Sequence, residues 1–377
     1  MRATLYRAII GGLALLAGTS AATAQEALRL PVLVPLTGFL SLEGTSQRNG
    51  AELALMDAGA DLGLVYEITD TATSPEIAVT AFERAVDKPD VVAAVAPMLG
   101  TQMLALLPLA EEFAVPLVTV SGTAKITELG NPFIFRFFPG DAVVKQAHAR
   151  YAVDRVGTRR PAIVYQTTAY GQSGRRHLSE TLTALGSPPV VEEALDVSVK
   201  DMLPTLTKVR QAGADALLLH LHSGPTALIV RQAAAMGLGL PIIAGSAMHQ
   251  PETAALLDPA ELAGVCAESG SSPISSGDPA IEQFAARYRA AFDREPDAFA
   301  LGQYDGVRMV LDAIKDGARD AAAVRAALAA RTYRGLAMTY KSDGTGNMAH
   351  DAVIVCYDGT SRIPAIAARY ENVSGVR

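Results

Sequence analysis

The sequence predicts an α/β protein of two doubly wound, Rossmann-like lobes, and three observations lead there. From Leu28 onward, short apolar runs alternate with amphipathic stretches. The alternation stops at Phe138, Pro139, Gly140 and Asp141, then starts afresh. Half of the 377 residues are apolar, enough for two full cores at about 100–200 residues per domain. Strands buried on both faces and joined by helical crossovers make mostly parallel sheets with helices on both sides.

In the first series, residues 30–34, 65–69, 91–96 and 117–120 are continuous apolar runs of strand length. Between them, residues 48–56, 77–86 and 101–113 carry helical patterning. The second series repeats the plan, with strands at 162–165, 190–195, 216–219 and 242–244 and helices at 172–185, 201–211 and 226–236. A Gly/Ser/Pro-rich break follows at 269–279. Helices then dominate residues 279–330, and strand-like 336–340 and 353–357 flank a turn at 342–346. The chain thus leaves one lobe and returns, giving a first lobe of 25–139 plus about 270–340 and a second of 140–269 plus about 341–377. Ligands bind beyond the carboxyl ends of parallel strands, so two facing lobes place a pocket in their cleft, and three crossings serve as its hinge.

The first 24 residues predict export. Arg2 and Arg7 give a basic start, residues 9–17 are apolar, and Ala22, Thr23 and Ala24 precede Gln25 as a small-residue cleavage site. The apolar stretch falls short of the roughly 20 residues that span a bilayer. No later stretch is long and apolar enough, and no cysteine stands at the cleavage point to carry a lipid. The expectation is a soluble, monomeric periplasmic protein cleaved after Ala24. Losing Arg2 and Arg7 takes the formal charge from −7 to −9, which argues against an extended basic surface for nucleic acid. Cys266 and Cys356 form an even pair in an oxidising compartment, open to a disulfide or to two buried free thiols. Neither has a second zinc ligand at finger-like spacing.

Signatures of catalysis are missing. There is no G-x-S-x-G, H-E-x-x-H or Walker sequence, and no G-x-G-x-x-G after a strand. The run Gly171, Gln172, Ser173, Gly174 is too short for a nucleotide loop, so neither enzyme nor cofactor is expected. His220 and His222 stand two apart at a strand end and face one side, but two imidazoles do not fill a metal site. His222 is instead read as a solute contact.

Val34 to Gly38 (VPLTG), Asn49 to Ala54 (NGAELA), Asp70 with Pro75, Ala169-Tyr170-Gly171, and Arg231-Gln232-Ala233 with Gly237 carry a resemblance. In this order and spacing, over residues 28–358, they resemble the type I periplasmic solute-binding proteins of branched-chain amino acid ABC transporters. The resemblance implies two lobes joined by three crossover strands and a receptor that delivers a small solute to a membrane permease. A periplasmic sensing subunit that signals to a protein partner is the alternative.

It also implies a site. The family's carboxylate-binding serine falls at Thr101, or at Gly100 in direct register, where free N–H groups at a helix start and a Thr101 N-cap favour an anion. Ser121 and Thr123 resemble its second carboxylate contact, Tyr170 its ligand-facing tyrosine, and Phe299 an aromatic of its side-chain pocket. The acid that commonly holds an α-ammonium is missing, since Gly245, Ser246 and Ala247 stand there. Glu43, read in a loop over residues 39–45, is the candidate replacement. A buried ammonium without a counter-charge is costly, so either another carboxylate serves or the solute is not a simple α-amino acid.

Overall fold

The computed structural model describes residues 27–376; the signal-peptide reading and the cleavage after Ala24 lie outside them. The apolar run β1 (Arg29–Val34) is buried along almost its whole length. There follow α1 (Ser41–Ala58), β2 (Val65–Asp70), α2 (Pro75–Val86), β3 (Ala94–Val95), α3 (Gly100–Glu112), β4 (Leu117–Thr119), a single turn α4 (Lys125–Glu128) and β5 (Ile134–Arg136). These strands make one parallel sheet in the order β2-β1-β3-β4-β5. The winding reverses between β1 and β3, and such a switch point opens a crevice at the strands' carboxyl ends.

The chain then leaves this sheet. It builds α5 (Asp141–Tyr151), β6 (Pro161–Gln166), α6 (Ala169–Ala184), β7 (Val191–Leu195), α7 (Leu203–Gln211), β8 (Ala216–His220), α8 (Ser223–Ala235), β9 (Ile242–Ala244), α9 (Pro251–Ala255) and β10 (Val265–Ser269). It returns as α10 (Pro279–Phe292), α11 (Ala298–Lys315), α12 (Ala321–Ala330) and the hairpin β11 (Thr332–Arg334) and β12 (Thr339–Lys341). Tyr288, Val307, Leu311 and Leu328 of these helices share a core with Leu30, Val32 and Leu53 of the first sheet. A third crossing leads to β13 (Ala352–Cys356) and β14 (Ala365–Tyr370), antiparallel additions that complete the second sheet as β14-β13-β10-β9-β8-β6-β7. The result is two doubly wound α/β layers joined by three crossings.

Cys266 on β10 and Cys356 on β13 stand directly opposite each other, with Cα atoms 4.0 Å apart, and are bridged. Of the two readings the sequence left open, the disulfide is the one the fold adopts.

Several elements differ from their sequence patterns. α1 starts at Ser41, so Glu43 lies in its first turn and not in a loop. Residues 48–56 were read as helix, but the first two turns were hidden because their buried face is polar. Gln47 donates to Ala96 O at 2.8 Å and to Gln303 at 2.9 Å, and Asn49 donates to Tyr288 at 3.0 Å. Gly50 lets it pack closely on α11, since a Cβ there would stand 2.1 Å from Ala300 O. α5 was hidden likewise: Asp141, Lys145 and His148 recur at helical spacing but are all buried. The 336–340 run is mostly turn, because Leu336 and Ala337 give their N–H groups to the buried Asp305 carboxylate at 2.9 and 2.8 Å.

Candidate functional site

Residues from the carboxyl ends of both sheets enclose one small cavity. Leu40 and Glu43 follow β1, Met98 and Leu99 follow β3, and Gly122 follows β4. Tyr170 follows β6, His222 follows β8, and Ser246 and Ala247 follow β9. Phe138, Asp141 and Val144 from the first crossing, with Phe299 of α11, complete the wall. The cavity measures about 30 Å³, room for about two ordered waters at 10–15 Å³ each. A solute larger than that needs the lobes to part further.

On the first lobe's side, α3 begins at Gly100 with Leu99 as its N-cap and no side-chain cap bond. This corrects the N-cap assigned to Thr101, which is the helix's second residue and does not line the cavity. A Cβ on Gly100 would stand 2.0 Å from Thr123 Oγ1, so the Thr123 side chain takes the space a serine would need there. Ser121 Oγ and Thr123 Oγ1 flank Gly122, are buried, and have no hydrogen-bond partner. Arg136 fixes this loop from below, donating to Thr123 O at 2.7 Å and Thr127 Oγ1 at 3.0 Å, and to Asn347 in the third crossing. Burial lowers its guanidinium to about 10, which leaves it charged.

On the second lobe's side, Thr168 caps α6 by accepting from Gly171 N at 3.2 Å, which sets Tyr170 in the first turn. The Tyr170 ring lies 3.8 Å from the His220 ring and stacks on His222 at 5.2 Å between centroids. His220 donates from Nε2 to Tyr170 O at 3.0 Å. Burial pushes His222 down to about 4 and His220 well below its usual range, so both are neutral imidazoles near pH 7. Among the described residues no group of three or more His, Cys, Asp or Glu is arranged to hold a metal. Phe299 packs against Phe138 at 4.7 Å.

A buried hydrogen-bond chain latches the lobes. Glu43 Oε1 receives Ser223 N at 3.0 Å and lies 2.6 Å from Ser223 Oγ, which lies 2.7 Å from Gln250 Oε1. Gln250 Nε2 donates to Asp297 Oδ2 at 2.6 Å, while Asp297 also accepts from Ser46. The Ser223 hydroxyl has one proton for two acceptors, so it donates to either Glu43 Oε1 or Gln250 Oε1 at one time. Burial raises the Glu43 carboxyl above its ordinary value, against the bonds from Ser223. Its other oxygen, Oε2, is buried without a partner.

Asp141 was not foreseen as a site residue, because residues 138–141 read as a separator. Its N–H donates to Gly122 O at 2.8 Å, its carboxylate accepts from Ser173, and its Oδ2 is left unpartnered at the cavity wall. Burial raises it from 3.8 to about 7 against the pull of Lys145. A carboxyl raised on folding contributes stability that is complete below its unfolded value and is lost as pH rises through its folded one. In the solute-free protein, the stability gap between Asp141→Asn and wild type should therefore widen by about 2 kcal/mol between about pH 5.5 and 7.5. Urea unfolding of both at the two pH values measures it; a constant gap would show that Asp141 does not titrate there.

Two wound lobes, three crossings and a cavity between opposed strand ends define a clamp-type solute receptor. The chain belongs to the periplasmic binding protein family, whose profile matches residues 27–361. It is 26% identical over 313 residues to the Leu/Ile/Val-binding protein BraC3 of Rhizobium johnstonii, covering 81% of this chain and 84% of that one. It is 23% identical to a leucine-, isoleucine-, valine-, threonine- and alanine-binding protein of Pseudomonas aeruginosa, covering 91% of each. Its fold superposes on the leucine binding protein LivK of Thermotoga maritima with TM-score 0.83 at 24% identity, over 92% of this chain and 99% of that one. It superposes equally, with TM-score 0.83 at 22% identity over 92% and 98%, on a Rhodopseudomonas palustris solute-binding protein in complex with 3,4-dihydroxybenzoic acid. The chain is a solute-binding receptor of ABC import and not an enzyme.

Proposed function

We propose that this receptor captures a small polar or carboxylate-bearing solute, an amino acid or a related compound, and hands it as a closed monomer to an ABC permease. The observation that carries the reading is the pair of buried, unpartnered hydroxyls of Ser121 and Thr123 beside the N-terminus of α3, next to the interlobe cavity. Hydroxyl donors and the helix's free N–H groups favour an anionic or strongly accepting group. Tyr170, His222 and Ser246 close over it from the other lobe, and Phe299 meets its apolar part. Relatives named for branched-chain amino acids and a structural neighbour holding an aromatic acid support both an apolar body and a carboxylate. We further assign export with cleavage after Ala24, a first lobe of 25–139 plus about 270–340, and a second of 140–269 plus about 341–377.

Because neither hydroxyl has a partner within the protein, removing it breaks no internal bond. Ser121→Ala and Thr123→Val should each leave the solute-free melting temperature unchanged or slightly raised, and each should weaken solute binding about 10-fold. Thermal shift against amino acids and matched carboxylates gives both readings, since solute at about 100 times its Kd adds roughly 2.7 kcal/mol. Wild-type affinity in both variants sinks the placement of the polar group.

A further inference from the structure

A second recess, of about 810 Å³, runs along the outer edge of the first sheet between β2 and α2. β2 is the last strand on that side. Val65 N donates to Leu28 O at 2.8 Å and Thr71 N to Val34 O at 2.9 Å. Alternate residues of a parallel ladder face the partner, so Tyr66 and Ile68 turn their backbone N–H and C=O groups outward, where no strand meets them. Val65 and Tyr66 are 44% and 37% exposed, and Ile77 on α2 is 44% exposed across the recess. The other edges of the two sheets are guarded. β5 is covered by the third crossing, where Arg136 N donates to Gly346 O at 2.8 Å. β7 carries Glu192 and Glu193, paired with Arg175 and Lys208, and β14 begins after Pro364 and carries Arg369. The recess is also uneven in charge. Arg29, Arg84 and Lys88 stand near the amino end of β2, where Lys88 pairs with Glu67. Arg29 Nε is buried there without a hydrogen-bond partner, and among the described residues neither Arg29 nor Arg84 forms an ion pair. At the opposite end the acids are satisfied, Glu76 by Ser74 at 2.6 Å and Asp70 by Thr37 at 2.7 Å.

We propose that this edge is a docking surface for another protein, one that lays an extended, acid-ended C-terminal segment antiparallel to β2. Main-chain bonds to Tyr66 and Ile68 hold the segment, and the recess between Val65 and Ile77 takes the apolar side chains of one of its faces. An antiparallel strand has its carboxyl end at the amino end of β2. Its terminal carboxylate, with an acidic side chain beside it, therefore meets Arg29 and Arg84, and supplies the acceptor that Arg29 Nε lacks. A segment ending in lysine brings like charges together there and is rejected. The surface shares no residue with the interlobe cavity, so docking needs no solute and does not depend on which solute the receptor carries.

The test uses the full mature chain and synthetic peptides labelled with fluorescein at the amino end: TVTVDD with a free carboxylate, TVTVKK as its amide, and two forms of TVTVDD that are N-methylated on one or the other alternate set of residues. Fluorescence anisotropy at low ionic strength reads affinity, and amide hydrogen exchange reads the place of binding. Wild type is compared with Arg29→Gln/Arg84→Gln and with Tyr66→Pro, each checked for folding by circular dichroism; the N-methylated peptides test the main-chain bonds without altering the protein. TVTVDD should bind saturably and slow exchange in residues 65–70, and TVTVKK should bind about 10-fold more weakly. One N-methylated form should lose binding and the other keep it. Arg29→Gln/Arg84→Gln should erase the preference for the acidic peptide. No saturable binding of TVTVDD, equal binding of TVTVKK, both N-methylated forms binding alike, or an acidic preference unchanged in Arg29→Gln/Arg84→Gln overturns the proposal. So does sedimentation showing that the chain pairs with itself and that Tyr66→Pro abolishes the pairing, which would give the edge to a second copy. None of these outcomes alters the reading of the interlobe cavity.

Discussion

Removing the Cys266–Cys356 bridge should destabilise the chain by about 4.5 kcal/mol, the largest effect expected of a change that leaves the cavity untouched. The bridge closes a loop of 90 residues in sequence. In the chain-entropy account a loop of that size restricts the unfolded ensemble by between 4 and 5 kcal/mol, roughly. The folded side loses little, because the two cysteines already oppose each other in the β10–β13 ladder, and Ala267, Glu268 and Ser269 keep their own partners on β13. Tyr151 sits with its hydroxyl 3.2 Å from Cys356 Sγ and covers the pair from the end of α5. Cys266→Ser/Cys356→Ser, compared with wild type in urea, should lower the unfolding midpoint with little change in solute affinity. In a thermal scan the shift should be on the order of 10 °C. A loss below about 1 kcal/mol would mean that the unfolded chain is already restricted over this span, or that the bridge strains the ladder it joins.

Where burial is apolar, the sequence and the structure agree closely. The runs at 30–34 and 242–244 match β1 and β9, and the helices expected at 77–86 and 201–211 are found at 75–86 and 203–211, because apolar periodicity is what burial selects there. The site was legible where it uses turn chemistry at strand ends. Tyr170, His222, Ser246 and Phe299 were read as candidates and do line the cavity, as does Glu43. The failures share one cause. α1 and α5 bury polar and ionisable side chains, so periodicity points to solvent where the fold points to core. Asp141, Ser223, Gln250 and Asp297 were missed on that account, since each has meaning only with a partner distant in sequence: Ser223 with Glu43, 180 residues away, and Gln250 with Asp297. Thr101 failed differently. Its hydroxyl fits an N-cap by residue type, but the helix starts one residue earlier because Gly100 must lie against Thr123.

The same buried electrostatics should make Glu268 the most sensitive side chain of the hinge region. Glu268 on β10 pairs with Lys145 Nζ through one oxygen and lies 2.9 Å from His148 Nδ1 through the other, with all three side chains fully buried. Burial alone would raise its carboxyl, but Lys145 and the His148 bond hold it below the usual range, so it is ionised. Glu268→Ala leaves an ammonium buried without a counter-charge and should destabilise by about 3–5 kcal/mol. Lys145→Met/Glu268→Met removes both charges at similar volume, and its stability should return to within about 2 kcal/mol of wild type, because desolvating the pair offsets most of its attraction while His148 Nδ1 is left without its acceptor. Lys145 stands one helical turn after Asp141 and is the main charge holding that carboxyl down. The double variant should therefore raise Asp141 further, although most of the stability is regained. Chemical unfolding of the two variants at about pH 5.5 and 7.5 separates these effects. If the double variant were as unstable as Glu268→Ala, the pair would be a net source of stability; if its stability changed between those pH values as wild type's does, Lys145 would have no part in setting the charge of Asp141.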